Sequence, residues 1–190
     1  MVAKPKPCWV LDMIAQQTTE KTRKRHLAVH DLGRMPYAAA YQQQREVHTK
    51  VLEGKAPLTL LLVEHNPVIT MSRRRNARQH LLADDATLDR LEIDVQTTDR
   101  GGDITYHGPG QIVAYPIFRL NDLRMNVVQY MRFLEQIVIN TVAEFDVEAR
   151  RIEGCTGVWV DHPDGPTDLA KLAALGVRVK RNVTLHGLAL

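Results

Sequence analysis

Four of the chain's 11 glycines crowd into one short segment, Arg100-Gly101-Gly102-Asp103-Ile104-Thr105-Tyr106-His107-Gly108-Pro109-Gly110-Gln111. Strand-like apolar residues flank it, Ile93 and Val95 before, Ile112, Val113, Ala114 and Tyr115 after. Glycine accepts positive φ and lets backbone approach a ligand closely. The segment therefore reads as a constrained loop between strands that gathers Arg100, Thr105, Tyr106, His107 and Gln111 around a Gly-Pro-Gly turn. A plain hairpin turn with a satisfied surface histidine is the alternative, but so many polar types on one loop favour a ligand site. The order Gly-x-Gly-x-x-Gly is absent and no long helix follows directly, so this is not a dinucleotide fingerprint. It is not a Walker loop either, since Gly-Lys-Ser/Thr is missing at its end.

A chain of 190 residues has room for one ordinary domain. Its 44% apolar and 25% charged residues are those of a soluble globular protein. The longest apolar runs, such as Leu58–Val63, are far shorter than a membrane span. Met1–Leu11 lacks the apolar core of a signal peptide. A net charge of +3 is too small for a chain whose main task is gripping nucleic acid. Two cysteines, Cys8 and Cys155, build neither a disulfide framework nor a zinc site, which points to a reducing, cytoplasmic compartment.

Residues 1–26 read as a flexible basic extension, with Lys4-Pro5-Lys6-Pro7 and the knot of Lys21, Arg23, Lys24 and Arg25. The globular part begins near Leu27. Pro36 is placed to open a helix that Gly54 closes. Leu58–Val63 reads as a strand buried on both faces, and Val68–Met71 as a second strand after the Asn66-Pro67 turn. A long helix is predicted from an Asn126 N-cap to about Phe145, with Val127, Met131, Leu134, Val138, Val142 and Phe145 as its core stripe. Short β-rich runs follow at Val147–Ile152, Gly157–Val160, Leu169–Lys180 and Val183–Leu190, with a loop at Asp161–Pro166. Separate helices and hairpin-like strands argue for an α+β domain over residues 27–190, not a doubly wound parallel sheet.

Lys171 is the only ionisable residue between Asp168 and Arg178. In a regular strand it shares a face with Leu169, Ala173, Leu175, Val177 and Val179, while Arg178 and Lys180 face the other way. A lysine on an apolar face is desolvated, which eases release of its proton. The alternative is an edge lysine that snorkels to water or leaves the strand at a bulge. His65 and His186, at strand ends, read as hydrogen-bonded structural groups, while His107 is balanced between structure and function. The histidines lack metal-site spacing, and His-Glu-x-x-His does not occur. The sequence stops within the strand-like run Thr184–Leu190 and so reads as C-terminally incomplete. Exposed apolar surface near Val183–Leu190, with marginal stability or association through that edge, is expected from this.

Arg100–Gln111, as RGGDITYHGPGQ, resembles the signature of the lipoyl(octanoyl) transferases of lipoate biosynthesis. The resemblance runs from about Leu27 to Leu190 and includes Leu61–Thr70 (LLVEHNPVIT), Thr156–Val160 (TGVWV), Lys171–Val179 (KLAALGVRV) and Thr184–Leu190 (TLHGLAL). It implies the α+β fold of the biotin and lipoate protein ligases, with a mixed sheet around an acyl pocket. It also implies transfer of an octanoyl group from octanoyl-acyl carrier protein to a lysine of lipoyl domains. Those domains belong to 2-oxoacid dehydrogenases or to the H protein of the glycine cleavage system. The implied route is an acyl-thioester on a cysteine, with no metal, nucleotide or other cofactor and no nucleic-acid or membrane partner. By motif position Lys171 is the implied acid–base residue that assists the thiol. Arg100, Gly101, Gly102, Asp103, Ile104, Thr105, Tyr106 and His107 match the family's substrate-binding stretches, as do Ala174, Leu175, Gly176, Gly187, Leu188 and Ala189.

The family's nucleophilic cysteine lies in a Pro-Cys-Gly segment downstream of the His-Gly-x-Ala stretch, and no such segment occurs in these 190 residues. Cys155 stands where the family has no catalytic residue. Two alternatives to an octanoyltransferase follow. One is a non-catalytic module that binds acyl carrier or lipoyl domains. The other is an ATP-dependent lipoate ligase, which the intact Tyr106–Gln111 string disfavours.

Overall fold

The computed structural model describes residues 26–74, 76–164 and 168–190. The basic extension expected over residues 1–26 therefore lies almost wholly outside the described residues, as does the end of the loop expected at Asp161–Pro166. Among the described residues ten strands form two sheets. The larger sheet has the order β1-β2-β6-β10-β9-β8-β7. Its strands are β1 (Leu27–Met35), β2 (Leu58–His65), β6 (Val113–Ile117), β7 (Arg150–Ile152), β8 (Cys155–Asp161), β9 (Leu169–Lys180) and β10 (Val183–Ala189). β1 and β2 run parallel, and every other neighbouring pair is antiparallel. The smaller sheet, β4-β3-β5, combines β3 (Val68–Ser72), β4 (Asp94–Thr98) and β5 (Ile104–His107). The mixed sheets and separate helices are the α+β architecture the sequence predicts.

Helix α1 (Tyr37–Leu52) carries the chain from β1 to the parallel strand β2. Pro36 sits at its N-cap, one residue before the predicted position, and Gly54 follows its C-cap at φ +72°. Short helices α2 (Asp85–Arg90) and α3 (Leu120–Leu123) lie in the connections. Helix α4 (Val127–Ala143) begins at Asn126, whose side chain accepts from Gln129 N–H while Gln129 returns a bond to Asn126 N–H. This reciprocal pair satisfies donors that a helix start leaves orphaned.

Two apolar clusters form, one under each long helix. Ala40 and Val51 of α1 pack with Leu61, Val63, Val113, Tyr115, Ile117, Val183 and Ala189. Tyr130, Leu134, Val138 and Val142 of α4 pack with Phe118, Leu120, Val158, Ala173 and Leu188. Adjacent residues such as Leu188 and Ala189 thus point to opposite clusters, which places the helices on opposite sheet faces. The stripe on α4 differs from prediction at its ends, because Val127 and Phe145 are 45% and 75% exposed while Tyr130 is fully buried. β2 is fully buried only at Thr59, Leu61, Val63 and His65, beneath α1, and half-buried on the other face.

The expectation of an exposed apolar edge at Val183–Leu190 is corrected. β10 is an interior strand, hydrogen-bonded to β6 and β9, and buried at every position from Val183 to Ala189. It is buried on both faces, the arrangement expected of β2, and takes the polar Thr184 and His186 inside with it.

Glu135 is the one acidic side chain on the buried stripe of α4, 1% exposed. Its carboxylate accepts from Arg132 (2.8 Å), Arg151 (3.0 Å) and the backbone N–H of Gly157 (3.2 Å). Alanine there would orphan the buried Gly157 N–H, while both guanidiniums keep access to water. We expect Glu135→Ala to cost about 2–3 kcal/mol. Thermal melting checks this, with Tm lowered by roughly 5–10 °C.

Candidate active site

The glycine-rich segment folds as β5 and the turn after it, antiparallel to β3. At its start, Arg100 reaches back to β3. Its Nη2 donates to Thr70 O (2.7 Å), Thr70 Oγ1 (3.0 Å) and Asp103 O (3.3 Å), and its Nε donates to Thr70 Oγ1 (3.1 Å). Gly101 N–H donates to Val177 O (3.1 Å), which ties the loop to β9. This approach is so close that a Cβ on Gly176 would stand 2.6 Å from Gly101 O. The glycine of β9 is thus a steric requirement of the contact between loop and strand.

Three stretches far apart in sequence meet here. Arg100, Thr105 and His107 line one cleft with Ala174, Leu175 and Gly176 of β9 and with Gly187, Leu188 and Ala189 of β10. Tyr37, Val113, Tyr115 and His186 complete the lining. The enclosed volume is about 30 Å³, room for one or two waters. The cleft is half open, and an eight-carbon chain exceeds this volume, so the chain extends out of the mouth unless the walls part. The remaining expected residues serve the frame rather than the lining. Gly102 takes φ +95°, Asp103 Oδ2 contacts His80 Nδ1, Ile104 is half-buried in β5, and Tyr106 is 45% exposed with its ring over Gly108.

A buried set of polar rings walls the cleft and continues behind it at His65 and Tyr41. His65 Nδ1 faces Met35 O at 3.2 Å and Nε2 lies 2.7 Å from Tyr115 Oη. A carbonyl only accepts, so Nδ1 carries the proton and Nε2 accepts from the tyrosine hydroxyl. Tyr37 donates to Thr98 Oγ1 (2.9 Å) and stacks on His107 with ring centres 6.5 Å apart. His186 sits at φ +58°, a costly conformation for a non-glycine residue. Its N–H donates to Gln44 Oε1 (3.1 Å), its ring stacks on Tyr41, and Nε2 donates to Asp99 Oδ1 (2.8 Å). Asp99 also accepts from Tyr41 Oη (3.1 Å) and pairs with Arg178. His65 and His186 are therefore the hydrogen-bonded groups that the sequence suggests.

Burial, reinforced by His65 and the Arg100 guanidinium, holds His107 down to about 4. Burial together with Arg100 and Arg178 holds His186 down to about 3. Burial likewise raises Tyr37, and raises Tyr115 well above the usual phenol value. The cleft is thus walled by neutral rings with one guanidinium, Arg100, at its edge. Both imidazoles take up a proton in the unfolded chain near their ordinary value, well before they do so in the fold. The unfolded state consequently binds more protons between about pH 6.5 and the folded values, and stability falls as pH drops through that window. Each group contributes a slope of up to about 1.4 kcal/mol per pH unit. Urea unfolding at pH 7 and pH 5 is expected to give a clearly lower midpoint at pH 5. An unchanged midpoint would contradict the neutral, buried assignment.

Lys171 does not follow its predicted face. Val158 pairs with Ala173 while the next residue, Trp159, pairs with Lys171, so Leu172 is an extra residue in β9. This bulge inverts the alternation. Ala173 faces the core opposite Val158, whereas Lys171 faces outward with Trp159 and is exposed. Its Nζ lies 4.7 Å from the Trp159 ring centre. Lys171 is three residues before the cleft-lining stretch of β9 and outside the lining itself. Cys155, at the start of β8, is free and exposed, and also outside the lining.

Tyr37, Tyr115, Thr70, Asp99 and Gln44 escaped the sequence reading as site residues. Tyr37 and Tyr115 carry apolar-pattern signals of a helix and a strand, and that patterning hides the hydroxyls.

The lipoyl protein ligase A/B catalytic domain matches residues 36–190. A protein of Acidobacterium capsulatum named octanoyltransferase is 41% identical over 166 residues, 84% of this chain and 67% of the relative. Another so named, from Solibacter usitatus, is 44% identical over 166 residues, 87% of this chain and 72% of the relative. Among solved structures, a bipartite lipoate protein ligase of Thermoplasma acidophilum superposes with a TM-score of 0.62 at 14% identity. That match covers 87% of this chain and 60% of the solved one. The LipL1 protein of P. falciparum in complex with lipoate gives 0.63 at 14% identity, covering 87% and 47%. At such identity the structures speak for the fold alone.

Proposed function

The chain belongs to the lipoyl protein ligase A/B catalytic-domain family, and from that premise we propose that it is an octanoyltransferase of lipoate assembly. It takes an octanoyl group from octanoyl-acyl carrier protein and delivers it to a lysine of lipoyl domains. The observation that carries this reading is the convergence of Arg100, Thr105 and His107 with Ala174–Gly176 and Gly187–Ala189 on one cleft. Val113, Leu175, Leu188 and Ala189 supply an apolar wall for a fatty chain. Arg100 is held rigidly by β3 and offers positive charge where an acyl oxygen develops negative charge. Lys171, exposed on β9 three residues before the cleft-lining stretch, is the group that takes up and returns the proton during acyl transfer.

The test is intact-mass spectrometry of a lipoyl domain incubated with the protein and octanoyl-acyl carrier protein without nucleotide. Gain of one octanoyl amide is the expected result, by attack of the lipoyl-domain lysine amine on the donor thioester with release of the carrier's thiol, because no cysteine of the described residues lines the cleft. Gain only from free octanoate plus ATP, with an acyl-adenylate detected, would make the chain a ligase. No gain from a folded sample would reduce the cleft to a binding module.

A further inference from the structure

The segment Thr156-Gly157-Val158-Trp159-Val160 lines no part of the cleft, yet it contacts Lys171. Trp159 is the cross-strand partner of Lys171, and the lysine Nζ lies over its ring at 4.7 Å. Beneath the lysine's stem is Gly157, at φ +129°. A Cβ there would stand 3.2 Å from Lys171 Cε, 3.4 Å from Lys171 Cδ and 2.9 Å from Ala173 O. The bare backbone of Gly157 therefore gives the stem its path. That backbone is anchored in turn, since its N–H donates to the buried Glu135 carboxylate (3.2 Å), which Arg132 and Arg151 clamp. The bulge at Leu172 turns Lys171 toward this cradle and away from the core.

We propose that Trp159 and Gly157 are positioning residues for Lys171, the indole face holding its ammonium and the glycine giving its stem passage, with Glu135 fixing the glycine from below. The proposal rests on the reading of Lys171 as the acid–base group. A cation over an indole face is attracted by the ring's quadrupole, so Trp159 restricts a long, otherwise free side chain to one arc. Leucine keeps much of the bulk and loses the attraction, whereas phenylalanine keeps a weaker form of it.

The test uses the whole chain with its lysines reductively ¹³C-methylated, and the Lys171 signal identified by its loss in Lys171→Arg. A ring current displaces an N-methyl signal lying over the indole, so the Lys171 signal is expected upfield of the other lysines. Trp159→Leu returns it to their range and Trp159→Phe leaves it between. Gly157→Ala, which presses a methyl against Lys171 Cε, moves it as well. In octanoyl transfer, Trp159→Leu is expected to lower kcat about tenfold with KM for the donor unchanged, and Trp159→Phe to stay within about threefold. A Lys171 signal indifferent to Trp159→Leu would overturn the proposal. So would full kcat in Trp159→Leu alongside a dead Lys171→Arg. Lys171→Arg with intact transfer would instead remove the acid–base reading, and the proposal with it, whatever the N-methyl shift.

Discussion

Lys171→Met is expected to abolish octanoyl transfer, by about 10²- to 10⁴-fold, while leaving the fold intact. The two halves of this result have separate causes. Lys171 is exposed on the outward side of a β-bulge and touches the Trp159 ring, so its removal opens no cavity and orphans no buried group. Surface changes of that kind shift stability by no more than about 0.5 kcal/mol. Proton transfer, by contrast, needs a group that can lose and regain its proton. Lys171→Arg keeps the charge and much of the stem, but a guanidinium does not give up its proton in a protein. It is therefore expected to be as inactive as the methionine variant. Steady-state transfer to a lipoyl domain and thermal melting of the same samples check both halves. An active arginine variant would mean that charge alone suffices.

Gly187→Ala is expected to act in the opposite way, through the fold. Gly187 lies in the middle of the buried strand β10, paired with Gly176 of β9. A Cβ at this position would run into the Ala114 carbonyl oxygen of β6 and come within 2.7 Å of Pro116 Cδ. Neither neighbour is the free end of a flexible side chain. The strand must shift, and with it the adjoining Leu188 and Ala189 that line the cleft. Overpacking of this sort costs about 1–3 kcal/mol and more where backbone blocks the relaxation. For a domain of this size that is a Tm lower by roughly 2–12 °C. Acyl binding should weaken in parallel, and calorimetric melting with and without an octanoyl ligand separates the two effects.

These two residues also mark what could be read from the chain before its structure. The loop Arg100–Gln111 carries its own signal in its glycines and polar residues, whereas Ala174–Gly176 and Gly187–Ala189 were legible only through the family resemblance, and the structure brings these two stretches to one cleft with Arg100, Thr105 and His107. The face of Lys171 was not legible, because a parity argument assumes an unbroken alternation and Leu172 adds one residue to it. Burial of β10 was misjudged for a related reason. A strand at the end of a sequence has no flanking pattern to reveal that it pairs on both sides, as β10 does with β6 and β9. The ring set around the cleft was invisible because it draws on β2, α1, β5, β6 and β10 together. His65, Tyr37, His107, Tyr115 and, through Tyr41, His186 become one group only through packing.

The account turns on the claim that this cleft holds the octanoyl chain. The most direct measurement is a crystal structure of the protein with octanoyl-pantetheine. The chain is expected against Val113, Leu175, Leu188 and Ala189, with the carbonyl end toward the Lys171 side of β9. An octanoyl chain seated elsewhere, with the cleft lined by Tyr37, His107 and His186 left empty, would contradict the account.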